Sequence, residues 1–323
     1  MYREQEYCFK LNYLINKNLL NDFNYTQAIL HKTRIYNNSK RFCLNKKLID
    51  TCSEKVEENI SNSLNYNLYM LSIFRLEFTS TKNNNLILSS VYFILYCLMV
   101  DKLLDNQGTN MKIQTNQYSW KNVRRFITGD VKSSKKTLFD EIFVFIYNNL
   151  NETNINPKFK KYVTTLAKNA IVSEFFLSNI SMYDLNSNIP EKLIIDKSAS
   201  FIEASLLMTV MDLNNEKMNN ITRAAKALSL LLTFADDLVD LYSDIYNLRT
   251  NLVLYKTKFD FGQERTFFDA IDMIIDTEII ENCIIIMEKE LHYIKTHCSK
   301  KFYMFSKALL YDWFSEIRAK LLS

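Results

Sequence analysis

Glycine and proline are nearly missing from this sequence, with 3 and 2 in 323 residues. Average usage would give roughly 22 and 16. Glycine supplies left-handed backbone at turns and caps, and proline pre-sets turns and strand edges. Their scarcity excludes β-sandwiches, doubly wound nucleotide folds with glycine-rich loops, and collagen-like or proline-rich chains. Histidine is also rare, at 3 residues. The six cysteines, Cys8, Cys43, Cys52, Cys97, Cys283 and Cys298, contain no CxxC spacing. A zinc site is therefore not expected. Several cysteines lie in apolar runs, as reduced thiols do, so the compartment reads as reducing and the chain as cytoplasmic.

Neither sign of charge dominates. There are 40 basic and 36 acidic residues, interspersed, for a net charge of +4. The pairs Lys46-Lys47, Arg124-Arg125 and Lys135-Lys136 stand outside any nucleic-acid motif and read as solvated surface, so no nucleic-acid partner is expected. A long hydrophobic run is missing too. The most apolar stretch, Leu86 to Val100, has 15 residues and stops at Asp101. A membrane span needs about 20, so this is a buried helix and no stable membrane insertion is expected. The N-terminal MYREQEYCFK has no apolar core and does not read as a signal peptide.

What the chain does have is 48% apolar and 13% aromatic residues, ample for a core. The expectation is an all-α protein, a single large bundle of mostly antiparallel helices around a central apolar pocket. No internal repeat, linker or low-complexity tract divides it, so residues 1–323 read as one domain. Apolar periodicity and breakers predict helices near 2–20, 53–79, 85–106, 134–151, 157–180, 190–213, 217–247, 264–295 and 299–321. Pro157 and Pro190 fit the first turns of their helices. Gly108 fits a helix end.

The most informative segment is LSLLLTFADDLVDLYSD, Leu228 to Asp244. Asp236, Asp240 and Asp244 are spaced i, i+4, i+8 and share one helix face. Stepping back by four from Asp236 reaches Leu232 and Leu228, so the acids continue an apolar stripe. Like charges at this spacing repel, and a buried unpaired carboxylate is costly. Three inward carboxylates, with Asp237 beside them, call for cations, and magnesium (Mg²⁺) suits carboxylate oxygens and phosphates. A solvated acidic face is the plain alternative. A second pair, Asp101 and Asp105, ends the apolar stripe of Phe93 and Cys97. Two facing acidic helices could form a metal box. In DKSASFIEAS, Lys197 sits among small residues on an apolar helix, either snorkelling or aimed at a bound anion.

Together these segments resemble the class I isoprenoid synthase superfamily, which contains trans-prenyltransferases, squalene/phytoene-type synthases and class I terpene cyclases. DKSASFIEAS resembles the prenyltransferase Lys-Thr helix, with Ser198 for Thr. FADDLVDLYSD resembles the second aspartate-rich motif, and VDKLLD the first. Their order agrees, with 96 residues from Asp101 to Lys197 and 39 more to Asp236. The resemblance covers residues 85–255. It implies a cluster of up to three Mg²⁺ held by Asp101, Asp105, Asp236, Asp240 and Asp244, with Asp237 in a catalytic role. Lys197, Arg249 and Lys256 would bind the diphosphate of a prenyl diphosphate substrate. Relatives are often dimers, which makes a homodimer the expectation by analogy.

Departures from the family choose the branch. Elongating enzymes bind isopentenyl diphosphate through an upstream Gly-Lys-x-x-Arg element and an Arg-Arg pair after the first motif. Here the upstream segment is NKKLIDTCSEK, and NQGTNMKIQ after Asp105 has no arginine. Lys102 replaces an Asp common in relatives, and Arg318 lacks the Tyr that follows it in many microbial cyclases. The leading expectation is a class I terpene cyclase, a Mg²⁺-dependent lyase that ionises one prenyl diphosphate. The alternatives are a chain-elongating or head-to-head synthase of the same fold, and a helical regulatory or interaction subunit without catalysis.

Overall fold

The computed structural model describes residues 2–21, 23, 26, 58–81, 83–105, 146, 148, 155–177, 191–213, 217–247, 249–257 and 267–322. Among these residues the chain is helical and contains no strand. Apart from residues 146 and 148, the helix expected near 134–151 lies outside the described residues, as do Pro190 and Gly108. No described helix is long and apolar enough to cross a membrane.

Contacts divide the chain into two compact units. The first comprises residues 1–30, 176–199 and 226–323, and the second residues 31–175 and 200–225. In the second unit, α2 (Glu58–Phe78) packs on α3 (Asn84–Asp105), and both meet α6 (Phe201–Met208). Phe93 of α3 meets Phe201 of α6 with ring centroids 5.9 Å apart, and the Ser90 hydroxyl donates to the Ser205 carbonyl. Buried Arg75 of α2 holds the chain after α6: its guanidinium grips both carboxylate oxygens of Asp212, at 2.9 and 3.0 Å. Asn83 donates to the same carboxylate at 3.0 Å. These partners lower the Asp212 pKa against the opposing effect of burial. Helix α4 (Pro157–Leu177) starts as its sequence predicts, with Pro157 in the first turn. The Asn156 side chain accepts from the Lys158 and Phe159 amides at 2.8 and 3.2 Å, an N-cap in front of a proline that needs no donor.

In the first unit, α1 (Tyr2–Leu14) runs into a π-helical turn, Ile15–Leu19. It buries Tyr7, Cys8, Leu11 and Ile15. Its neighbours are α10 (Phe267–Asp276), α11 (Ile279–His297) and α13 (Ser315–Leu322). The Tyr7 hydroxyl donates to the Leu238 carbonyl at 2.5 Å, which anchors α1 to the acidic helix. The single helix expected over 264–295 is broken at Thr277 and Glu278. Lys10 explains the break: its ammonium donates to the Ile275 and Thr277 carbonyls at 2.8 and 3.2 Å and pairs with Glu281 at 3.0 Å. A cation at a helix C-terminus satisfies carbonyls that the next turn would otherwise have used. Ser299 caps α12 (Lys300–Trp313) by accepting from the Phe302 amide at 3.2 Å.

Candidate active site

The acidic segment occupies α7 (Met218–Val239) and α8 (Leu241–Tyr246), joined at Asp240. Asp240 keeps near-helical angles, φ −87° and ψ −1°. Its amide donates to the Asp236 carbonyl at 2.9 Å, and the Asp244 amide donates to the Asp240 carbonyl at 2.8 Å. The i→i+4 ladder thus passes through the joint, and Asp236, Asp240 and Asp244 follow one another on successive turns. Leu232 and Leu228, one and two turns back, are fully buried. The acids therefore emerge from the core: Asp236 is half-buried and Asp240 exposed.

Their titration records this setting. Burial, then the charge of Asp240, pushes the Asp236 carboxyl up to about 7, against a lowering hydrogen bond from Trp313 and the charge of Lys197. Burial and the charges of Asp236 and Asp244 hold Asp237 well above the usual carboxylate range. Asp240, though exposed, rises to about 6 as the surrounding protein displaces part of its water and then through the charge of Asp244, with Arg249 and Lys320 opposing. Each acid is made harder to ionise by burial and by its neighbours. A cation bound here would relieve that repulsion.

Two residues that the sequence did not single out orient these carboxylates. Trp313, at the end of α12, donates its indole N–H to Asp236 Oδ1 at 3.2 Å. Asn251 is buried, and its Nδ2 donates to Asp244 Oδ2 at 2.9 Å and to the Asp237 carbonyl at 2.8 Å. Its Oδ1 accepts from the Val253 and Leu254 amides at 2.9 and 3.3 Å, which caps α9 (Leu252–Thr257). The Asn251 position just before Leu-Val-Leu is an N-cap signal in the sequence. Trp313 is 77 residues from its partner, and no local pattern marks it.

The other expected residues are placed as follows. Lys197 sits half-buried in a π-helical turn, Asp196–Ser200, between α5 (Glu191–Ile195) and α6. Its charge favours ionisation of Asp236 and Asp237. Asp237 Oδ2 accepts from the Leu252 amide at 3.2 Å, so this carboxylate ties α9 to α7. The Arg249 amide donates to the Asp244 carbonyl at 2.7 Å, and its charge acts on Asp240. Lys256 pairs with Glu191 at 2.5 Å and lies 6.0 Å from the centre of the Phe234 ring. Asp101 and Asp105 lie in the last turns of α3, in the second unit, and their side chains are outside the described residues.

Among the described residues, no group of three His, Cys, Asp or Glu is placed to hold a metal ion. These carboxylates do not form a preassembled cage. The donor set fits the looser mode usual for Mg²⁺, in which one or two carboxylates bind and waters and substrate phosphates complete the octahedron.

No protein-family model matches the chain, and no curated protein matches it in sequence. Solved structures do. One is a polyprenyl synthase from Caulobacter crescentus CB15, described as complexed with calcium and isoprenyl diphosphate. It is 14% identical, with a TM-score of 0.49, over 94% of this chain and 97% of that one. A geranylgeranyl pyrophosphate synthetase from Pyrococcus horikoshii Ot3 is 14% identical, with a TM-score of 0.43, over 88% of this chain and 98% of that one. A polyprenyl synthase from Roseobacter denitrificans is 12% identical, with a TM-score of 0.43, over 81% of this chain and 98% of that one. At such identities and TM-scores, an activity has to be argued from the residues themselves.

Proposed function

We propose that this chain is an enzyme that ionises an allylic prenyl diphosphate with Mg²⁺. The observation that carries the reading is the acidic face of α7 and α8. Its carboxylates continue a buried leucine stripe, raise one another's pKa, and have the Lys197 charge acting on them. When bound, Mg²⁺ supplies Lewis-acid stabilisation of the charge that develops on the departing diphosphate. Asp236, Asp240 and Asp244 would hold metal, and the resemblance gives Asp101 and Asp105 the same role. Lys197 and Arg249 would bind diphosphate oxygens. Lys256 would join them only on leaving Glu191.

Ionisation is shared by cyclases, chain-elongating synthases and head-to-head synthases. The sequence favours a cyclase, because the isopentenyl diphosphate elements are missing. The similar solved structures are named as prenyl synthases, which goes with chain elongation instead of cyclisation. With TM-scores below 0.5 those names do not choose the branch, and products do. The test is incubation with C10, C15, C20 and longer prenyl diphosphates, with and without isopentenyl diphosphate, with products read by mass spectrometry. Mg²⁺-dependent diphosphate release is expected. From the allylic substrate alone, a hydrocarbon or alcohol with the substrate's own carbon number would identify a cyclase and one with twice that number a head-to-head synthase, whereas a strict need for isopentenyl diphosphate would identify an elongating synthase. No diphosphate release from any substrate would overturn the proposal.

A further inference from the structure

We propose that Trp313 is a positioning residue that makes Asp236 a one-oxygen ligand and so tunes the site toward Mg²⁺; this rests on the metal reading of Asp236 given above. The indole N–H is a donor without a charge. At 3.2 Å from Asp236 Oδ1 it takes one of that oxygen's two lone-pair sites, which disfavours two-oxygen coordination and leaves Oδ2 the more open ligand. An arginine or lysine in its place would neutralise the carboxylate and compete with the cation, whereas the indole orients Asp236 and leaves its charge intact. The corner that carries Trp313 is held independently of the acids. The Arg318 guanidinium lies 3.6 Å from the centre of the Tyr311 ring and donates to the Tyr311 carbonyl. Phe23 also stacks on that ring, with centroids 5.4 Å apart and planes 29° from parallel. The chain turns at Phe314 into α13 directly after Trp313. A rigid corner presenting a neutral donor is what a supporting contact to a metal ligand requires.

The coordination chemistry gives this role a specific signature. Mg²⁺ demands near-ideal octahedral geometry, while Ca²⁺ accepts carboxylates through one or two oxygens. Freeing Asp236 Oδ1 should therefore harm Mg²⁺ binding more than Ca²⁺ binding. The experiment uses the full chain carrying Trp120→Phe, so that the indole of Trp313 alone emits. Addition of Mg²⁺ with inorganic pyrophosphate is expected to change Trp313 emission, and EDTA to reverse it. Calorimetric titration then compares this protein with its Trp313→Phe and Trp313→His forms. Trp313→Phe should weaken Mg²⁺ binding by about 10-fold or more and lower the Mg²⁺/Ca²⁺ affinity ratio. Trp313→His, which keeps a ring N–H, should recover most of the ratio. Mg²⁺ binding with unchanged Trp313 emission, or an unchanged ratio in Trp313→Phe, would overturn this role and leave the metal site standing. Absence of Mg²⁺ binding in every form would overturn both.

Discussion

At the scale of single residues, Asp236 is the sharpest case of a proposed role opposed to stability. An unfolded Asp titrates near 4, and the folded one at about 7. The folded protein therefore holds this proton more tightly than the unfolded chain does. The contribution of Asp236 to metal-free stability is then greatest below about pH 4 and declines as pH rises from there to about 7, because ionisation favours the unfolded state. Asp240, at about 6, adds to the same slope. Asp236→Asn should flatten the decline and raise the metal-free Tm at pH 8 by a few degrees, while abolishing diphosphate release. Thermal unfolding in EDTA across pH 4 to 8 checks this, and a variant with the wild-type slope would refute it. The spacing of these acids was legible because helix periodicity maps i, i+4, i+8 to one face. The donors that hold them were not. Trp313 reaches Asp236 across 77 residues through packing, which no local pattern encodes.

At the scale of elements, apolar periodicity located the long helices and missed their interruptions. The turns at Ile15–Leu19 and Asp196–Ser200 are π-helical, a one-residue widening that an apolar pattern does not register. The break at Thr277 and Glu278 depends on Lys10, from a distant part of the chain. The short α9 escaped notice because six residues are too few to show a period, although its cap was in plain view. Asn251 makes that cap and also grips Asp237 and Asp244. Asn251→Ala should cost about 2–4 kcal/mol, combining a lost N-cap with unsatisfied buried partners. Asn251→Asp keeps the cap acceptor, yet removes the donor to Asp244 and adds a fifth acid to the cluster. It should therefore be no more stable than Asn251→Ala at pH 8. Urea unfolding ranks the two, and near-wild-type stability for Asn251→Asp would show that the cap alone matters.

At the scale of the molecule, near-absence of glycine means that a phosphate must be held by side chains and metals on helices, because no glycine loop can cradle it. Legibility of the whole stopped at helix class and motif order, since the division into two compact units arises from contacts far apart in sequence. If the acidic face binds Mg²⁺ with diphosphate, ligand and folding are linked. A hundredfold excess over Kd adds about 2.7 kcal/mol, or roughly 5 °C of Tm. Pyrophosphate without Mg²⁺ should do far less, because the carboxylates repel an uncompensated anion. Protons compete with metal for Asp236 and Asp240, whose pKa values of about 7 and about 6 set the window. The Mg²⁺–pyrophosphate shift should thus be largest near pH 8 and shrink as pH falls through 7 and 6. Hydrogen exchange should place the added protection in segment 236–257, around Lys197 and around the Asp101/Asp105 motif. A shift of equal size at pH 5 and pH 8, or protection confined to other segments, would show that the ligand stabilises the fold elsewhere.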